Sequence, residues 1–162
     1  VRNIKELNDC DALILPGGES TTMSLLLSKY NLFNPIKEFS QKKNLFGTCA
    51  GAILMSSNSN DSRVENLKIL DIGTYRNAWG AQVDSFSDNI ELKGDAFSIK
   101  KYYATFIRAP KFLNVNNSCK VIGEYNGNPV LIRNDKHLVS SFHPEISEDL
   151  SIYKYFFKMI NE

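Results

Sequence analysis

"NLFGTCAGAILM", residues 44 to 55, runs from an apolar stretch through a small turn, Gly47 to Gly51, into a second apolar stretch. The first part reads as a buried strand and the last as the start of a helix, with Cys49 at the turn between them. Glycines on both sides of the Cys let the backbone pass through a tight bend and push the middle side chain out of the strand. A helix starting directly after Cys49 directs its positive end and free N–H groups at the sulfur, which predicts a lowered thiol pKa and an oxyanion donor at the Ala50 N–H. The pentapeptide alone also admits a plainer reading, a buried structural thiol, because free Cys packs as a small hydrophobe.

The same pattern recurs upstream. "DALILP" (11 to 16) is a short apolar run closed by Pro16 and two glycines, and "STTMSLLLSKY" (20 to 30) follows as a helix, with Ser20 or Thr21 at its cap and Met23, Leu26 and Leu27 on its inner face. Pro35 fits the first turn of another helix, "PIKEFSQKK", with Ile36 and Phe39 facing inward, before "NLFGTC" returns as a strand. Strand and helix in alternation predict a mostly parallel central sheet with helices on both faces.

The second half reads differently. Short strand-like runs, among them "LKILDIGTYRN", "QVDSFS", "IELKG", "YYATFIRAP", "CKVIGEYNG" and "HLVSSFHP", are separated by turn residues and imply an added antiparallel portion. "EYNGNPVLI" carries an Asn-Gly hairpin turn, and Pro129 within it suggests an edge strand. "SEDLSIYKYFFKMINE" closes the chain as an amphipathic helix, capped by Ser147, with Leu150, Tyr153, Phe156 or Phe157 and Ile160 inward.

The chain has 162 residues, a formal net charge of +1, and no run long enough to span a membrane. This argues for a single domain over residues 1–162, without a basic footprint for nucleic acid or an anionic membrane, and for a cytoplasmic location. Cys10, Cys49 and Cys119 are odd in number and dispersed, so neither a disulfide framework nor a metal cluster is expected.

Chemistry needs partners for Cys49. "SSFHPEI" (140 to 146) offers His143 and Glu145 two residues apart, on one face if the chain is extended. A Cys nucleophile requires a base to take its proton and return it to a leaving amine, and that base requires a carboxylate to orient it. His137, in the polar turn "NDKHL", reads as solvated. "PGGES" (16 to 20) exposes backbone N–H groups at a strand–helix turn, with Glu19 as an acceptor, and lacks the Lys of a phosphate loop.

Taken in order, "PGGEST", "GTCAG" and "FHPE" resemble the class I (triad) glutamine amidotransferases, three-layer flavodoxin-like α/β proteins. "LILPGGESTTM", "RNAWGAQVDSF", "FIRAP" and "SFHPE" look like the branch that supplies the glutaminase subunits of pyridoxal 5'-phosphate synthases. The resemblance implies glutamine hydrolysis with Cys49, His143 and Glu145 as the triad, and Gly18 and Ala50 N–H groups as the oxyanion hole. It further implies Gly18, Glu19, Ser20, Arg76, Ile107 and Arg108 around the glutamine. No metal or organic cofactor is implied, and the partner is a TIM-barrel synthase subunit that receives the ammonia. A glutaminase serving imidazole glycerol phosphate synthesis is disfavoured by "RNAWGAQVDSF"; a catalytically silent partner-binding subunit is the alternative of another class.

Two departures from the family pattern stand out. Members usually begin with a strand and glycine turn of the type "IGVLALQG", so a chain starting "VRNIKELNDC" is expected to lack roughly thirty residues, including a core strand whose loss leaves unpaired backbone. Ala81 stands where the family usually carries Arg, beside the aromatic Trp79.

Overall fold

A computed structural model describes residues 1–76, 85–94 and 97–162. Trp79 and Ala81, with the rest of 77–84, lie outside the described residues, so the departure at Ala81 carries no structural account. The elements in chain order are α1 (Ile4–Asn8), β1 (Ala12–Leu15), α2 (Ser20–Lys29), α3 (Phe33–Lys42), β2 (Asn44–Thr48), α4 (Ala50–Met55), β3 (Ser56–Ser59) and β4 (Leu70–Tyr75). They continue with β5 (Ser85–Leu92), β6 (Lys101–Ile107), β7 (Lys111–Leu113), β8 (Lys120–Tyr125), β9 (Asn128–Arg133), β10 (Leu138–Ser140), a 3-10 turn (Pro144–Ile146) and α5 (Ser151–Ile160).

The main sheet has the order β1-β2-β10-β9-β8-β5-β6, and a small second sheet has the order β3-β4-β7. β1, β2 and β10 run parallel, with Leu15 opposite Gly47 and Thr48 opposite Ser140. From β10 outward through β9, β8, β5 and β6 every pairing is antiparallel. The expected antiparallel addition therefore supplies the larger share of the pairings, and the parallel core is the three-strand unit that carries the turns.

Side-chain alternation makes the sheet the middle of three layers. Leu45, Ile132 and Val139 enter one apolar cluster with α1, α3, α4 and residues of the small sheet, whereas Phe46, Leu131 and Leu138 enter a second cluster with Ile152, Tyr155, Phe156 and Met159 of α5. Adjacent residues serve opposite faces because the strand period is two, and both faces are covered. Among the described residues, no helix is long and apolar enough to cross a membrane.

The Asn126-Gly127 turn joins β8 to β9 as expected, both residues having positive φ, 47° and 73°. Pro129 is not on an edge strand: β9 lies between β8 and β10. Its missing N–H is tolerated because β10 pairs only with Leu131, Ile132 and Arg133 and stops short of it.

Two helices differ from their expected faces. In α2 the cap is Glu19 rather than Ser20 or Thr21, its side chain accepting from the N–H groups of Thr21 and Thr22. Met23 and Leu27 pack half-buried against the core as expected, but Leu26 is 46% exposed and Ser20 and Ser24 are buried, small side chains that let α2 lie close to α4. Buried Ser24 is satisfied by accepting from the Glu65 N–H at 2.9 Å. In α5 the inward residues are Ile152, Tyr155, Phe156 and Met159, and Leu150 and Phe157 face out. The helix starts at Ser151, whose N–H is accepted by Asp149 rather than Ser147 at 2.8 Å; of the expected inward residues Phe156 is buried, and Tyr153 and Ile160 pack half-buried against the same cluster.

Candidate active site

Three neighbouring parallel strands end at one edge of the sheet, and each delivers one piece of the motif set. β1 ends at Pro16-Gly17-Gly18, β2 ends at Cys49, and β10 leads within three residues to His143. The carboxyl edge of a parallel sheet is where backbone turns leave room for a ligand.

Cys49 sits on a strained elbow, φ 48° and ψ −104°, a conformation that a non-glycine residue adopts only when its surroundings enforce it. Its N–H donates to the Ser140 carbonyl at 2.9 Å, and its carbonyl accepts from the Ile53 N–H at 3.2 Å. Gly51 holds the elbow against β1: a Cβ there would lie 1.9 Å from the Leu15 carbonyl oxygen. Cys49 is buried, and its Sγ lies 3.7 Å from the Ile107 carbonyl oxygen. The expected fall in its pKa is not what the structure has. Burial pushes the thiol up to about 11; the Ala50 N–H and Arg76 pull it down and Glu145 raises it further. Desolvation outweighs the helix end because α4 is only six residues long and wholly buried.

His143 and Glu145 do meet, Nδ1 to Oε1 at 2.7 Å. The route is a 3-10 turn rather than the extended chain anticipated, closed by the Ile146 N–H on the His143 carbonyl at 3.3 Å. The His143 N–H donates to the Thr105 carbonyl at 2.8 Å, tying the loop to β6. With Nδ1 engaged by the carboxylate, the other ring nitrogen, Nε2, is buried and has no hydrogen-bond partner among the described residues. An orphaned buried nitrogen of this kind is the group a reacting proton can use.

A cavity of about 520 Å³ joins these parts, lined by Gly18, Glu19, Ser20, Cys49, Ala50, Ile53, Arg76, Ser85, Ile107, Arg108 and His143. Every sequence-derived site residue except Glu145 lines it, Glu145 standing behind His143. A cleft of about 620 Å³ elsewhere, beside Lys120 and Arg133, contains none of the partnerless buried polar side-chain atoms found among the described residues. The chemistry thus concentrates in the smaller cavity.

At the cavity rim Gly18 has φ 147°, a value side chains disfavour. Glu19 accepts from Thr22 N–H at 2.7 Å, and from Thr21 as well, and these hydrogen bonds, led by the Thr21 hydroxyl, lower its pKa to about 2. Arg76 Nη2 donates to Glu19 Oε1 at 3.0 Å, and its Nη1 pairs with Asp61. Asp61 and Arg63 went unremarked in the sequence because "SNSNDSR" looks like any polar loop. His137 is the clearest correction. It is buried, its Nδ1 accepts the Leu45 N–H at 3.1 Å, and burial, helped by Lys136, lowers its pKa to about 4.

Comparison with known proteins identifies the family and the fold. The chain is 42% identical over 163 residues to the pyridoxal 5'-phosphate synthase subunit PdxT of Thermosipho africanus, covering 100% of this chain and 85% of that protein. It is 41% identical over 161 residues to the PdxT of Picrophilus torridus, covering 99% and 82%. A crystal structure of a glutamine amidotransferase superposes with a TM-score of 0.92 at 36% identity, over 100% of this chain and 85% of that one. A Thermotoga maritima glutamine amidotransferase shares the fold alone, at a TM-score of 0.58 and 13% identity over 96% of this chain and 64% of that one. The model of the SNO glutamine amidotransferase family matches residues 1–162, and the chain belongs to that family.

Proposed function

We propose that this chain, acting as one domain in a cytoplasmic hetero-oligomer, hydrolyses L-glutamine to L-glutamate and ammonia and passes the ammonia to a TIM-barrel pyridoxal 5'-phosphate synthase subunit. The observation that carries the reading is the shared cavity of Cys49 and His143, with Glu145 on the far ring nitrogen and Nε2 left unpartnered. The named PdxT relatives supply the synthase context.

The steps follow from the groups. His143 Nε2 takes the Cys49 proton as the sulfur attacks the side-chain amide carbon, and the carbonyl electrons move to an oxyanion held by the N–H groups of Gly18 and Ala50. The imidazolium, steadied by Glu145, returns the proton to the departing nitrogen, so ammonia leaves and a γ-glutamyl thioester remains. Water then adds to the thioester carbon as His143 takes its proton, and the imidazolium returns that proton to the departing sulfur, which leaves glutamate and restores the Cys49 thiol. A thiol with a pKa near 11 is almost wholly protonated at neutral pH, so the sulfur depends on a base such as His143 to take its proton.

The test is glutamate and ammonia release, followed with and without the synthase. Cys49→Ala is expected to abolish release in a folded protein, and Glu145→Gln to lose about 10²–10⁴ in rate by misorienting His143. Release persisting in Cys49→Ala would overturn the assignment.

A further inference from the structure

The rim of the cavity contains an ion-pair chain that no sequence motif announces. Arg63 clamps the Asp61 carboxylate from outside, Nε to Oδ1 at 2.9 Å and Nη2 to Oδ2 at 2.7 Å, with the Arg63 N–H on Oδ1 at 3.1 Å. The same carboxylate holds Arg76 Nη1, while Arg76 Nη2 reaches Glu19 at 3.0 Å. The main chain is held as well, the Arg76 N–H donating to Asn60 Oδ1 at 2.8 Å. Asp61 follows the end of β3 and Arg76 follows the end of β4, two parallel neighbours of the small sheet, so that sheet aims Arg76 at the turn after β1.

We propose that Asp61 is a positioning residue for glutamine: by holding Nη1 it limits Arg76 to a one-point contact with Glu19, Nη2 on Oε1, and keeps the guanidinium from closing on that carboxylate with both Nη atoms, so that cation and anion can part for the two charges of the substrate. The inference rests on the glutaminase reading. Free glutamine carries a carboxylate and an ammonium at the end remote from its reacting amide, and a pocket that selects it needs one charge of each sign there. Arg76 and Glu19 line the cavity that holds Cys49, whereas Asp61 does not, so Asp61 acts through Arg76. Three hydrogen bonds from Arg63, led by its side chain, hold the Asp61 carboxyl far below the usual carboxylate range, so this anchor stays charged throughout the working pH range. Without it, Glu19 is the carboxylate left beside the Arg76 guanidinium among the described residues. A fork-on-carboxylate pairing then withdraws both charges from the substrate at once.

The experiment compares two reagents on the wild-type chain and Asp61→Asn. Iodoacetamide is small and neutral, so its rate of alkylation at Cys49, read by peptide mass, reports the nucleophile alone. Protection of Cys49 by glutamine reports the binding of a charged amino acid. Asp61→Asn is expected to leave alkylation within about twofold and to raise the half-protecting glutamine concentration about tenfold, the size of one charge-assisted hydrogen bond. In synthase-supported turnover KM rises by the same factor, with kcat within about threefold. Arg63→Ala, at a side chain 74% exposed, removes the outer clamp without disturbing the core and gives the same split at about threefold. Unchanged protection in both variants, or alkylation falling together with protection, overturns the inference while leaving the glutaminase reading in place. A wild-type Cys49 that glutamine does not protect overturns both.

Discussion

At the scale of single residues, His143 depends on a neighbour with no side chain. A Cβ on Gly17 would lie 2.4 Å from His143 Cε1 and 3.0 Å from Nδ1, so the imidazole rests directly on the Gly17 backbone. Gly17→Ala must therefore move the ring, and the ring is also held by Glu145. Because a base displaced by about 1 Å costs on the order of 10² in rate, kcat is expected to fall by that much, with glutamine protection of Cys49 little changed. Equal loss in both quantities would show general collapse of the β1 turn instead. "PGGES" by itself implies backbone donors; that its first glycine also seats the His143 ring requires the fold to bring residues 17 and 143 together.

At the scale of elements, His137 joins the turn before β10 to the start of β2. Its Nδ1 accepts the Leu45 N–H, which requires that nitrogen to be unprotonated, and burial lowers its pKa from 6.5 to about 4. The unfolded chain binds this proton at higher pH than the folded one does. Stability from this site is therefore complete above about pH 6.5 and declines as pH falls toward about 4, with a full span of about 3 kcal/mol. His137→Asn keeps an acceptor near the Nδ1 position but cannot titrate. Urea unfolding of the two proteins between about pH 7 and pH 4.5 should show a shallower acid decline in the variant, and parallel curves would remove His137 from the account.

At the scale of the whole molecule, the candidate site gathers strand ends from both halves of the chain around Cys49, whose thiol pKa burial pushes up to about 11. Only about 10⁻⁴ of such a thiol is ionised at pH 7, so the isolated chain is expected to hydrolyse glutamine slowly. A docked synthase that lowers the cost of proton transfer by one pKa unit accelerates the reaction about tenfold. Titrating the chain with synthase should thus raise glutamate formation tenfold or more, until the subunits are matched; a flat titration would show that the pocket is complete without a partner.

The local pattern of the sequence determined the turns, the alternation of the buried strands and the chemical types of the triad, because these depend on neighbours within a few residues: "GTCAG" bends, "YNGN" reverses, and His143 lies two residues from Glu145. Quantities set by contacts between distant segments were decided by tertiary structure. The sign of the Cys49 shift followed from burial, and the inward face of α5 from packing of Ile152, Tyr155, Phe156 and Met159 in the cluster that holds Phe46, Leu131 and Leu138. The change of His137 from solvated to internal came from Leu45, 92 positions away in the chain. The Arg63–Asp61–Arg76–Glu19 chain depended on β3 and β4 ending side by side at the cavity rim. Desolvation and ion pairing are sums over everything within a few ångströms, and that neighbourhood exists only once the sheet has formed.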